Sequence, residues 1–172
     1  ISSGNPLAHS EILIYSSTET EEFDDSEIYV AGHCVVDGYI GLPSTDFNYS
    51  EKGVRQFKTR DKGLLKENQL FVYGRIDDTI IVNGKKVFAH EIEREVNQFP
   101  KIKLGRVLAA LSKKIVDVAI YYEGRLEESE EAEIRKLVKS KFEISIGEFI
   151  QLPAGFLIKT SSGKIARKKS LE

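Results

Sequence analysis

GRIDDTIIVNGKKVFAHEIE, residues 74–93, is the stretch whose reading decides how this chain is organised. Arg75, Asp77 and Asp78 crowd together where one block of sequence gives way to the next. The β-branched run 79–82 then reads as a strand, Asn83-Gly84 as a tight turn suited to positive φ, and 86–88 as a returning strand. A helix follows over 90–99, with Ile92, Val96 and Phe99 on one face and Pro100 closing it. A fold needs the strand, the turn and the helix. It does not need three charges at the junction, and that excess marks the run as a site. Gly74 and Gly84 stand where the chain must bend or admit another backbone.

Before the junction the pattern is all-β. Residues 11–16 and 27–31 are short β-rich runs, and the acidic stretch Thr18 to Ser26 between them reads as a long solvated hairpin loop. Residues 41–53 have loop composition. Strands resume at 54–58 and 70–74, joined through Asp61-Lys62-Gly63 and Glu67-Asn68. Residues 1–74 therefore read as a small β-rich subdomain, such as a distorted barrel, and 75–78 as a hinge.

After the junction the pattern is α+β. Strands are expected near 106–112 and 115–122, and a helix over 128–143 with the apolar stripe Ile134, Leu137, Val138 and Phe142. Its acids crowd the first turns, with Lys136, Lys139 and Lys141 in the last, which complements the helix dipole. Short strands near 148–152 and 156–159 precede a basic end. Residues 79–172 thus form one α+β domain, a three-stranded sheet with flanking helices.

Composition narrows the function. The chain has 172 residues, 41% hydrophobic and 30% charged, as expected of a globular protein of one ordinary or two small domains. No run approaches the ~20 apolar residues of a membrane span, and no signal segment opens the chain. A net charge of -2 argues against a general nucleic-acid binder. The single cysteine, Cys34, excludes an intrachain disulfide framework and fits a reducing, cytoplasmic compartment. It lies in a β-rich run and reads as buried rather than nucleophilic. His9, His33 and His90 share no metal-ligand spacing, so no metal site is expected. The absence of any Met and the opening ISSGNP suggest a fragment. Leu171-Glu172 reads equally as native sequence or as a vector remnant.

Two further runs carry chemistry. LIKTSSGKIAR, residues 157–167, sets a glycine-lysine pair after small polar residues, which suits phosphate contact. It is not a P-loop, because Ile158 occupies a position that motif reserves for glycine. By composition alone it reads as a flexible basic tail. Lys164, Arg167, Lys168 and Lys169 could also form a nucleic-acid or membrane patch, but no aromatic residues interleave. FKTRDKG, residues 57–63, reads on its own as a segment carrying a loop acid, Asp61.

Together the three runs resemble the motifs of the acyl-adenylate-forming enzymes: acyl-CoA synthetases, peptide-synthetase adenylation domains, luciferases and fatty acyl-AMP ligases. Gly74, Arg75, Asp77, Ile80, Gly84, Glu91, Ile92 and Glu93 match the family's hinge motif at its spacing. Lys159, Thr160, Ser162, Gly163, Lys164, Ile165 and Arg167 match its C-terminal motif. Thr59 and Asp61 match its T-G-D triplet, with Arg60 where glycine is usual and Lys62 where leucine is usual. The resemblance covers nearly the whole chain and makes it the C-terminal portion of such a ligase. It implies that Lys164 is catalytic, bonding the substrate carboxylate and the α-phosphate of ATP as charge is neutralised. It implies that Asp61, Arg75 and Thr59 bind nucleotide, that Asp77 is the pivot of a mobile C-terminal domain, and that Gly84 lines a pantetheine tunnel. The expected substrates are ATP with Mg²⁺ and a carboxylic acid. The expected acceptor is the phosphopantetheine thiol of an acyl carrier protein or of CoA. The missing N-terminal domain is the further expected partner, and this chain alone is expected to be inert.

The opening ISSGNPLAHSEILI, Ile81 and LPAGFLIKTSSGK resemble the fatty acyl-AMP ligases, which makes a fatty acid the expected substrate. Asp77 leans the other way, since those ligases usually carry lysine at the pivot. The competing reading is a non-catalytic module that docks a carrier protein.

Overall fold

A computed structural model describes residues 2–16, 26–112, 114 and 116–171. The chain divides into two compact units, Ile1–Asp77 and Asp78–Glu172. Apart from Ser26, the expected acidic loop lies outside the described residues, as does Glu172 at the chain's end.

The first unit is one antiparallel sheet of β1 (Ser10–Ser16), β2 (Ser26–Gly32), β3 (Phe47–Tyr49), β4 (Arg55–Lys66) and β5 (Gln69–Arg75). β2 pairs with β1 on one edge and β4 on the other, and both β3 and β5 pair with β4. Phe47 faces Phe57 across β3 and β4 with ring centroids 4.8 Å apart, a cross-strand pair of the kind worth roughly 0.2–1 kcal/mol. The expected distorted barrel is not shown. Strand pairing runs β1-β2-β4-β3 with β5 on β4 and does not close among the described residues, although a bridge at Gly4 and Leu70 covers part of β5.

β3 lies inside the expected loop, because three residues are too few to show a strand's alternation. β4 runs on through Asp61-Lys62-Gly63, where the sequence suggests a turn. Those residues form a bulge instead: between the pairs Tyr29–Lys58 and Glu27–Lys62 the register shifts, and Arg60 takes φ +63. Gly63 is needed for close approach, since a Cβ there would lie 2.4 Å from the Phe71 carbonyl oxygen. The real turn is Glu67-Asn68, both at positive φ. Cys34 is exposed rather than buried, because β2 has already ended at Gly32 and the chain is turning.

The second unit is α+β. It comprises β6 (Thr79–Val82), β7 (Lys85–Phe88), α1 (Ala89–Val96), β8 (Ile102–Leu111), β9 (Val118–Gly124), α2 (Glu128–Phe142), β10 (Ile146–Leu152) and α3 (Arg167–Leu171). β6 and β7 form a hairpin over Asn83 (φ +50) and Gly84 (φ +75), the left-handed pair that a two-residue turn of this hand requires. The three-stranded sheet has the order β10-β9-β8, with β8 antiparallel and β10 parallel to β9. α2 supplies the crossover that a parallel pair needs.

Ile80 and Val82 of β6 are buried while Ile81 between them is exposed, as the alternation of a half-buried strand demands. Ile92, Val96, Ile134 and Val138 of the helices are fully buried against Val107 and Ile120 of the sheet. Each such side chain contributes about 1.5–3 kcal/mol. In α2 the Glu127–Glu130 capping box fixes the start, and Glu143 in the left-handed conformation marks the end.

α1 stops at Val96 instead of running to Phe99. The Asn97 amide donates to the Glu93 carbonyl at 2.7 Å and accepts from Gly105 N–H at 2.9 Å, turning the chain out of the helix. β9 starts at Val118, after Ser112 N–H meets the Asp117 carbonyl, so residues 116 and 117 precede it; position 115 of the expected strand lies outside the described residues. Residues 156–159 form no strand; only an isolated bridge, Lys159 to Ile165, remains. The basic end is a short helix, α3, and not a loose tail.

Candidate functional site

In the first unit the β4 bulge collects Thr59, Asp61 and Arg75. Asp61 and Arg75 are register partners on β4 and β5, with guanidinium and carboxylate 3.5 Å apart. Arg75 also reaches Asp77 at 3.9 Å, so the two acids flank one cation. Asp77 sits in a single 3₁₀ turn, Ile76–Asp78, with its side chain 53% exposed. Asp61 is only 33% exposed, so its carboxylate is held at the edge of the sheet while that of Asp77 stands in solvent.

Thr59 is used internally. Its hydroxyl donates to the Ile28 carbonyl at 2.9 Å and accepts the Asp61 N–H at 3.1 Å. It therefore shapes the bulge that aims Asp61, and its oxygen already serves two bonds. Arg60 turns to the other side, where Nε and a terminal nitrogen each lie 3.0 Å from Oδ1 of Asp46.

In the second unit Lys164 stands on a tight hairpin. Thr160 N–H donates to the Lys164 carbonyl at 2.8 Å, and Gly163 N–H, at φ +83, donates to the Thr160 carbonyl at 2.9 Å. The Thr160 hydroxyl adds a bond to the Lys164 carbonyl and lies 2.9 Å from that of Ser162. Thr160, Ser162 and the glycine of TSSGK thus serve the turn. The exposed Lys164 ammonium has no hydrogen-bond or ion-pair partner among the described residues.

The flanks of that hairpin are anchored firmly. Arg167 grips both Glu93 oxygens at 2.7 and 2.8 Å, reaches Asp78 at 3.0 Å and donates to the Ala109 carbonyl at 3.1 Å. One terminal nitrogen bridges the two Glu93 oxygens, while the other terminal nitrogen serves the Ala109 carbonyl and Nε faces Asp78, so all three guanidinium nitrogens are engaged. The last glutamate of the hinge motif and the last arginine of the C-terminal motif are therefore partners, and Arg167 is no member of a basic surface patch. Burial pushes the Glu93 carboxyl above its ordinary value, against the pull of Arg167 and of the Ala109 N–H.

On the other flank Leu157 is buried and its N–H donates to Glu123 Oε1 at 2.9 Å, while Arg106 donates to the Leu157 carbonyl. Ser170 of α3 accepts Ile158 N–H at 3.1 Å. Burial of Glu123 would raise its carboxyl. Backbone N–H groups of Gly155 and Leu157, with Arg106 and Lys103, outweigh this and hold it below the ordinary range. Glu123 and Arg106 were not singled out by sequence reasoning. The available signal was an acid ending the otherwise apolar strand VAIYYE, where charge needs a partner.

Gly84 sits at an open hairpin tip, where an added Cβ would meet no atom within 4 Å. Among the described residues no group of three or more His, Cys, Asp or Glu could hold a metal ion. Among the same described residues, no helix is long and apolar enough to cross a membrane. The structure thus brings Thr59, Asp61, Arg75 and Asp77 together in one unit. It sets Lys164 on an anchored turn in the other.

One unit thus offers an acid paired with a cation, and the other an exposed lysine on a turn pinned at both flanks. No profile of a known protein family matches the chain. A D-alanine--D-alanyl carrier protein ligase of Staphylococcus aureus (strain JH9) is 30% identical over 158 residues, covering 87% of this chain and 32% of the relative. The structure of McyG A-PCP complexed with phenylalanyl-adenylate is similar at a TM-score of 0.76 and 26% identity, over 99% of this chain and 28% of that one. A structure from a study of fatty acyl-adenylate ligases of E. coli and L. pneumophila matches at a TM-score of 0.76 and 26% identity, over 97% and 31%. The chain spans about a third of the length of the curated relatives it matches. It corresponds to the C-terminal portion of the AMP-binding, acyl-adenylate-forming ligases.

Proposed function

We propose that this chain is the C-terminal part of an AMP-forming ligase that activates a carboxylic acid as acyl-AMP and passes the acyl group to a phosphopantetheine thiol. The observation that carries the reading is the exposed Lys164 ammonium, without a partner among the described residues, on a turn whose both flanks are pinned. A cation held ready in this way suits a step in which a carboxylate attacks the α-phosphate and negative charge gathers between them. In this reading the carboxylate oxygen bonds to the α-phosphorus, the bond to pyrophosphate breaks, and Lys164 neutralises the reacting oxygens. Asp61 accepts from the ribose hydroxyls, Arg75 contacts ribose or phosphate, and Thr59 acts by shaping the bulge. Asp77 is the pivot about which the second unit turns between the two half-reactions, and Gly84 lies along the pantetheine path in the second.

Mg²⁺ enters as the counterion of ATP; with no cluster of ligating side chains among the described residues, no step is assigned to a metal held by this chain. A fatty acid is the acid that the ISSGNPLAHSEILI and LPAGFLIKTSSGK segments favour. An acyl carrier protein or CoA supplies the thiol, and the single cysteine favours a cytoplasmic setting. Lys164→Ala in the full-length ligase tests the reading. Pyrophosphate exchange should fall by orders of magnitude while transfer from preformed acyl-AMP persists. Unchanged exchange would overturn the role of Lys164, and carrier docking without nucleotide dependence would favour the docking module.

A further inference from the structure

Position 60 is the place where this chain departs from the glycine of the T-G-D triplet, and the structure has an arginine there in a conformation that favours glycine. Arg60 has φ +63, in the left-handed region that a Cβ disfavours. The residue cannot relax toward an ordinary strand conformation without disturbing its neighbours. Thr59 before it is tied to Ile28 across the sheet, and Asp61 after it is tied by its own N–H to the Thr59 hydroxyl. A conformation of this kind persists where its surroundings over-determine it.

The surroundings that do so belong to Asp46. Its Oδ1 accepts from Arg60 Nε and from a terminal nitrogen, both at 3.0 Å. Its backbone carbonyl accepts Lys58 N–H at 2.8 Å, on the other side of Thr59. Asp46 is itself held by Ser44, whose hydroxyl donates to Oδ2 and accepts the Asp46 N–H, each at 3.2 Å. The loop residue therefore grips β4 at Lys58 and at Arg60, while β2 grips Thr59 between them. Asp61 is the first residue beyond this grip, and there it takes its place opposite Arg75.

We propose that Asp46 is a positioning residue for Asp61: by clamping Arg60 in the left-handed conformation it supplies the bulge that a glycine would supply unaided. The proposal rests on the reading of Asp61 as a nucleotide ligand. Its distinctive consequence is that Asp46 matters only while residue 60 carries a side chain. Misplacing a ligand that binds nucleotide equally in the ground and transition states raises KM and leaves kcat alone.

The experiment is a cycle of variants in the full-length ligase, read as KM and kcat for ATP. Asp46→Ala and Arg60→Ala should each raise KM for ATP several-fold with kcat within about twofold of wild type. Arg60→Gly, and the double variant Asp46→Ala/Arg60→Gly, should both return KM to within about twofold of wild type. A double variant as impaired as Asp46→Ala, or an Asp46→Ala enzyme with wild-type KM, overturns the proposal. Asp61→Ala in the same series separates the two claims. If it leaves KM for ATP unchanged, the nucleotide role of Asp61 fails; if it raises KM while Asp46→Ala does not, only the clamp fails. Amide hydrogen exchange at Asp61 in this chain gives a second, nucleotide-free readout. Protection should be lost in Asp46→Ala and regained in the double variant, and protection unaffected by Asp46→Ala overturns the clamp.

Discussion

The Asp61 cluster and the Lys164 hairpin solve opposite problems. Asp61, Arg75 and Asp77 satisfy one another, so an incoming nucleotide would exchange existing ion pairs for new ones. Lys164 has nothing to exchange among the described residues, and the polar bonding around it is spent on the backbone of its turn and on the flanks. The contrast teaches where each region keeps its precision. In the first the charged side chains answer one another directly, and in the second the bonding lies in the turn and its flanks.

Four substitutions would break or sharpen that contrast. The largest effect belongs to Lys164→Ala: loss of a positioned charge-stabilising group should lower pyrophosphate exchange about 10²–10³-fold. The melting temperature should not move, because the ammonium supports nothing in the fold. Next comes Arg167→Ala, which strands Glu93 and Asp78 without their cation and should cost about 3 kcal/mol in urea unfolding. If it alters neither stability nor exchange, the anchored-flank account is wrong.

Glu123→Gln should cost about 2 kcal/mol, since the buried site is built for a carboxylate. It should also change the acid limb of the stability curve. The native carboxyl lies below its ordinary value of 4.5, so its stabilisation is present above that value and fades as pH falls through the native one. The variant should lose less stability than wild type over that acid range, measured by denaturant titration from pH 7 downward. Smallest is Gly84→Ala, about 1 kcal/mol from forcing a Cβ into the left-handed tip of an open turn.

Much of the second unit could be read from the residues. β6, the Asn83-Gly84 turn and α2 carry strong local signals, namely β-branched alternation, two residues tolerant of positive φ, and a capped amphipathic stripe. The first unit was less legible, because its shape depends on a bulge whose residues, Asp61-Lys62-Gly63, look locally like a turn. Only the pairing of β4 with β2 and β5 at once decides between the two. The same holds for the candidate site. Lys164 and Asp61 are visible as motif residues, whereas Asp46, Glu123 and Arg106 matter through partners distant in sequence. Arg167 was visible but its direction was not, since a cation in a basic run reads as exposed until Glu93 is placed beside it.

The Arg167–Glu93 contact also bears on the order in which the chain is assembled. The partners are 74 residues apart in sequence. Closing so long a loop costs entropy that only contacts already formed can offset. α1, the sheet and α2 must therefore gather before the hairpin has anything to fasten to. On a ribosome that delivers the chain N-terminus first, Lys164 is placed among the last features of its unit. The framework of a nascent second unit would thus stand before the exposed Lys164 cation is set in its place.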